Sequence, residues 1–181
     1  MLKAAINSND WDTDNFKPEN LSALVSQIHI CAYINERNEG DEDGNPPTNH
    51  WATFLELETG GSVHLDMAPG YGSDGLRGKI EVSSKGYVST RNSIKTLTFE
   101  TNGKPKVKTV AGVISENGLE KYTFTQDMEG CRYWISILIS KLEAAGILPS
   151  GSAEKAAEAV SRYWRNPTGS EPREVRKGTF R

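Results

Sequence analysis

Two stretches of alternating polarity on either side of a glycine turn constrain this chain most. Trp51, Thr53, Leu55 and Leu57 share one parity, and Val63, Leu65 and Met67 share one parity beyond Thr59-Gly60-Gly61. A period of two interrupted by such a turn describes an antiparallel hairpin, Trp51–Glu58 against Ser62–Met67, with one face buried. That face needs a cover. Cys131–Ala145 is the clearest candidate: Trp134, Ile135, Leu138, Leu142 and Ala145 recur at helical spacing before Gly146 and Pro149 end the run.

The rest of the chain fits the same plan. Ile28, Ile30, Ala32 and Ile34 alternate as a strand, and Lys79–Ser83 reads as another. Val107, Val110, Ala111 and Ile114 have helical spacing with Gly118 at the end, and Tyr122–Phe124 is a short extended step. Ala153–Trp164 reads as a last helix capped by Ser152. Asn35–Asn49 mixes acids with Pro46 and Pro47 and is expected as an exposed loop, while Pro69–Gly78, with four glycines, is expected as a mobile rim. Residues 1–20 read as an irregular arm. Strands and helices segregated in this way imply an α+β fold, an antiparallel sheet packed against helices. At 181 residues the chain suits one domain, expected over residues 1–165, with residues 166–181 as a loosely ordered basic tail.

Composition narrows the function. A net charge of −3 gives no electropositive field, so nucleic acid is not expected as a partner. The first residues turn polar and acidic too soon for a secretory signal, and no apolar run reaches the roughly 18–20 residues of a membrane span. A cytoplasmic location without a transmembrane anchor is therefore expected. The two cysteines, Cys31 and Cys131, and three histidines lack the spacing of a zinc site, so neither metal nor other cofactor is expected. Nothing in the sequence indicates an oligomeric state.

Cys131 stands out because it opens the apolar helix directly after Gly130. A thiol there meets unpaired backbone N–H groups and the positive end of the helix dipole, which favour a thiolate and could hold an oxyanion. Arg132 would add positive charge if it turned inward. The competing reading of Cys131 is a small buried hydrophobe. His50 opens the first hairpin strand and can act as base toward the thiol. His64, on the returning strand, is the first candidate to orient the His50 ring, with Asp66, of the same parity, as the alternative. His29 and Cys31 share a strand face and read as packing residues. Trp51, Tyr71, Tyr133 and Trp134 form an aromatic set around the expected cleft. Trp51, Asp66, Tyr71, Arg132 and Trp134 are the expected substrate contacts.

The segment from Asn49-His50-Trp51-Ala52 to Ser62-Val63-His64-Leu65 resembles the hairpin of the lecithin retinol acyltransferase-like enzymes, in the circularly permuted branch of the papain-like NlpC superfamily. Tyr122-Thr123-Phe124, followed by Gly130-Cys131-Arg132-Tyr133-Trp134, is similar to that branch's tyrosine strand and nucleophile helix, in the same order. The resemblance spans roughly His50 to Ala145. It implies a permuted papain-like fold with Cys131 as nucleophile, His50 as base and His64 as the orienting residue. The family's Asn-Cys-Glu-His-Phe block is replaced here, so its substrate is not implied. The chain also resembles small fungal proteins with a similar Gly-Cys-Arg-Tyr-Trp block, a likeness that implies no activity. The expected function is cysteine-dependent acyl transfer, hydrolase or acyltransferase, on an ester, thioester or amide of a small molecule or peptide. An isopeptidase like the permuted PPPDE peptidases is a variant of it. The alternative is a catalytically silent papain-like domain that binds a ligand or protein partner.

Overall fold

A computed structural model describes residues 8–181 of the chain as an α+β fold. Its strands are β1 Trp11–Asn15, β2 Val25–Tyr33, β3 Trp51–Leu57, β4 Ser62–Tyr71, β5 Arg77–Lys85, β6 Ser93–Glu100, β7 Tyr122–Thr123, β8 Arg162–Trp164, β9 Ser170–Pro172 and β10 Thr179–Phe180. The helices are α1 Val107–Glu116, α2 Cys131–Ala144 and α3 Ser152–Val160. Among the described residues eight strands form one sheet, in the order β10-β7-β5-β4-β3-β2-β6. β1 joins it by pairing in parallel with β5, and every other pairing is antiparallel. β8 and β9 form a separate ribbon.

The alternation along the central strands gives the sheet two unlike faces. Ile28, Ile30 and Ala32 of β2, Trp51 and Leu55 of β3, Val63 and Leu65 of β4 and Ile80 and Val82 of β5 join one core with α1 and α2. The opposite parity carries His29, Cys31, Phe54, His64 and Asp66, where Cys31, Ala52 and Phe54 make a small second cluster under Tyr33. Against the core face, α1 buries Val107, Val110, Ala111 and Ile114, and α2 buries Trp134, Ile135, Leu138 and Leu142. The end of α2 is a Schellman turn. Gly146 takes φ 76°, and the Gly146 and Ile147 N–H groups donate to Glu143 O and Leu142 O.

Several expectations are corrected. Residues 11–15 are a strand on β5, not part of an irregular arm, and Asn20 lies within a 3₁₀ turn, Pro18–Ser22. Half of the glycine-rich segment is strand: β4 runs to Tyr71 and β5 starts at Arg77, leaving residues 72–76 as the turn. β6 lies where the sequence reads as polar and featureless, because an edge strand with one solvated side needs few apolar residues. α3 stops at Val160 and the chain re-extends as β8, so Trp164 is in a strand; Gly151, not Ser152, precedes the helix.

Residues 166–181 are not a loose tail. β9 pairs with β8, β10 pairs with β7, and Arg173 is buried. Its few apolar residues hide this order, because polar and backbone bonds hold the segment. No helix among the described residues is long and apolar enough to cross a membrane.

Candidate active site

Gly130 allows α2 to begin where it does. At φ 151° it occupies a conformation that L side chains rarely adopt, and a Cβ there would lie 2.8 Å from the Tyr122 hydroxyl. That hydroxyl donates to Gly130 O at 2.9 Å and accepts the Gly178 N–H at 2.9 Å. β7 therefore holds the turn that presents Cys131. Glycine also brings no side chain to cap the helix, and the first helical bond is Trp134 N–H to Gly130 O at 3.0 Å. The N–H groups before it have no carbonyl from an earlier turn to bond and remain available to an anion.

His50 comes to this helix from the start of β3. Its Nε2–H donates to Asp66 Oδ1 at 2.7 Å, leaving Nδ1 as the ring nitrogen for the thiol. The Cys131 sulfur interacts with the His50 imidazole and with the Trp51 backbone N–H. Tyr33 stacks on His50, with centroids 5.8 Å apart and planes 20° apart. The His50 side chain is 41% exposed and Asp66 is 17% exposed, so the pair is open to solvent on one side.

The electrostatics follow from this chain of groups. Burial alone would push the Cys131 thiol up, but the hydrogen bond and charge of His50 and the Trp51 N–H bring it below the ordinary thiol value. Burial alone would pull the His50 imidazole down. The Asp66 hydrogen bond and the Cys131 sulfur outweigh it, and the pKa is pushed up to about 11. Both shifts favour the thiolate–imidazolium pair.

The strand register places Asp66, not His64, against His50. β3 and β4 pair Phe54 with His64 and Thr53 with Leu65. His50 thus stands four residues along β3 from the level of His64, roughly 13 Å at about 3.3 Å per residue. The His64 ring packs on Phe54 at 4.6 Å, its Nε2 is 3.5 Å from the Tyr33 hydroxyl and its Nδ1 is 3.4 Å from Ser83 Oγ. Burial pulls its pKa down, toward the neutral imidazole. Replacing Asp66 by asparagine removes the carboxylate that holds up the His50 imidazolium. This outweighs the relief of the direct repulsion between Asp66 and the sulfur, so iodoacetamide alkylation of Cys131 at pH 6 is expected to slow by about tenfold, one pKa unit of thiolate. His64→Gln should leave the rate within about twofold. A larger loss in His64→Gln than in Asp66→Asn would contradict the assignment.

Four expected substrate contacts are engaged by other parts of the fold instead. Trp51 and Trp134 are fully buried in the core, and the Trp134 indole N–H donates to Leu119 O at 2.8 Å. Arg132 turns away from the cleft, donating to Val160 O at 2.8 Å, Arg173 O at 3.1 Å and Glu174 O. Tyr71 donates to Glu81 Oε1 at 2.9 Å and carries Lys79 over its ring. Cys31 is fully buried beside Thr96, and burial pushes its thiol up. His29 is held between Thr98 and Glu56, each at 2.7 Å. Among the described residues no group of three or more His, Cys, Asp or Glu could hold a metal.

Sequence reasoning missed Tyr33 as a stacking partner and Arg173 as a buried group. The stacking comes from β2–β3 pairing and the burial from the return of the C-terminus, neither of which leaves a local pattern. Between the loops preceding His50 and Cys131 lies a cavity of about 290 Å³, lined by Pro46, Thr48, Asp127, Glu129 and Arg173 among others.

Residues 28–181 match the family model of a domain of unknown function, DUF7770. The chain belongs to the DUF7770 family. The matched span contains His50, Asp66 and Cys131 and runs to Arg181, so the DUF7770 domain includes the C-terminal segment. No curated protein and no solved structure matches the chain at a significant level.

Proposed function

We propose that this DUF7770 protein is a cysteine-dependent acyl-transfer enzyme built on a permuted papain-like arrangement, with Cys131 as nucleophile, His50 as base and Asp66 as the orienting acid. The observation that carries the reading is the 2.7 Å hydrogen bond from His50 Nε2 to Asp66 Oδ1, with His50 in turn the group that brings the helix-opening Cys131 thiol below its ordinary value. The order His50, Asp66, then Cys131 at a helix start supports the permuted arrangement.

In the proposed reaction His50 holds the proton of the Cys131 thiol, and the sulfur attacks the carbonyl carbon of an ester, thioester or amide. The carbonyl electron pair moves to oxygen, where the N–H groups opening α2 receive the negative charge. Collapse of that intermediate breaks the bond to the leaving group, which takes the proton from His50. Water, an alcohol or an amine then attacks the thioester, giving its proton to His50, and the thiolate–imidazolium pair is restored. Asp66 keeps the imidazole in the required tautomer and orientation. A silent binding domain has less support, because two of its four expected aromatics, Trp51 and Trp134, are core residues.

Incubation with a panel of activated esters is expected to add one acyl mass to the wild-type protein and none to Cys131→Ala. Buried Cys31 serves as the internal control thiol. An adduct that persists in Cys131→Ala, or a wild-type protein that acquires none and alkylates no faster than a free thiol, would sink the proposal.

A further inference from the structure

The C-terminal segment reaches the loops on both sides of the reactive pair. Arg173 is buried, and besides a 3.2 Å bond from Nη1–H to its neighbour Glu174 O its guanidinium spans three partners outside its own segment: Nε–H donates to Pro47 O at 3.2 Å, Nη2–H donates to Pro46 O at 3.2 Å, and Nη2 also donates to Glu129 Oε1 at 2.9 Å. Pro47 precedes His50 by three residues, and Glu129 precedes Cys131 by two. One planar fork thus ties the segment ending in the base to the segment ending in the nucleophile. The fork is itself held, because Arg132 donates to Arg173 O at 3.1 Å, and Arg173 N–H donates to Ser161 O at 2.9 Å. Arg176 adds a 2.8 Å pair with Asp127 and a 3.5 Å pair with Glu129.

We infer that Arg173 is a positioning residue for the reactive pair: it sets the distance between the Cys131 sulfur and the His50 ring by clamping their two loops together, which makes the C-terminal segment a working part of the site. The inference rests on the reading of Cys131 as the nucleophile. A guanidinium suits the task because its N–H donors lie in one rigid plane, so two carbonyls and a carboxylate can be held at once. An ammonium would keep the charge but could not hold all three in one plane. The charged groups acting on the sulfur are His50 and Asp66 from the strands and Arg132 from its own helix. Arg173 acts through geometry.

The test is the pH dependence of Cys131 alkylation by iodoacetamide in the full chain. Arg173→Lys preserves the charge, so any change reports position. It is expected to move the midpoint of the profile upward and to slow alkylation at pH 6 by about tenfold, one unit of thiol pKa, with an unchanged circular dichroism spectrum. Glu129→Gln probes the other end of the clamp and keeps an acceptor there should Arg173→Lys fail to fold. Loss of that negative charge would, by Coulomb's law alone, lower the midpoint. A looser clamp raises it, so an upward shift supports the inference and a downward or absent shift overturns it. A folded Arg173→Lys with the wild-type profile also overturns it, while a low wild-type midpoint leaves Cys131 reactive. A wild-type profile like that of a free thiol removes both readings together.

Discussion

His50→Ala is expected to slow alkylation of Cys131 by about 10- to 100-fold at pH 6, the largest loss of reactivity from any change that keeps the thiol. The sign follows from the groups around the sulfur. The folded environment brings the Cys131 thiol below its ordinary value because His50 overrides the cost of burial. As pH falls, the wild-type thiolate therefore survives through the range where an ordinary thiol is already protonated. Without the imidazole the Trp51 N–H and the Arg132 charge are left to oppose burial, and the thiol moves up. The rate difference is widest on the acid side of the ordinary thiol pKa and closes at alkaline pH, where both proteins are ionised. The gain in thiolate exceeds the gain in rate, because a stabilised thiolate is a weaker nucleophile. A measured pH–rate profile checks this, and equal rates for the two proteins at pH 6 would remove His50 from the mechanism.

The largest effect on stability is expected at Trp134. The side chain is fully buried in the core between sheet and helices, and its indole N–H is spent on Leu119 O. Trp134→Ala should cost about 3–5 kcal/mol by opening a cavity, and leaving a carbonyl without its donor adds to that cost. Against the typical 5–15 kcal/mol of a folded domain this is a large share. The midpoint of thermal unfolding should fall by roughly 6–20 °C for a chain of this size. Trp134→Phe keeps most of the volume and should lose less than half as much. A residue contacting substrate would behave differently, lowering activity while leaving the melting temperature unchanged. Differential scanning calorimetry of the two variants distinguishes these roles.

Trp134 also marks the boundary between what local pattern reveals and what it hides. Its i, i+3/i+4 neighbours identify a buried helix face from the chain alone, yet an aromatic beside a reactive cysteine reads equally well as a binding residue. Only the packing of α2 on β3 and β4 removes it from the cleft. His64 poses the same problem in a strand. Parity correctly assigns it to the face of Asp66, since period two is a local property. The partner of His50 on that face depends on register, and the pairing of Phe54 with His64 carries His64 out of reach.

The hairpin of β3 and β4, the helix opened by Cys131, the buried faces of both and the α+β class were determined by the sequence itself. Each rests on periodicity and turn chemistry within a few residues. Tertiary structure decided the rest. It chose Asp66 over His64 through register and added β1 and β10 to the sheet through pairing with distant strands. It also brought Arg173 from the far end of the chain to the loops before His50 and Cys131. These outcomes depend on hydrogen bonds between backbone and polar groups far apart in sequence, which leave no periodic trace in the residues that make them. The same physics makes the C-terminus look like a solvated tail when read alone and a buried clamp when folded.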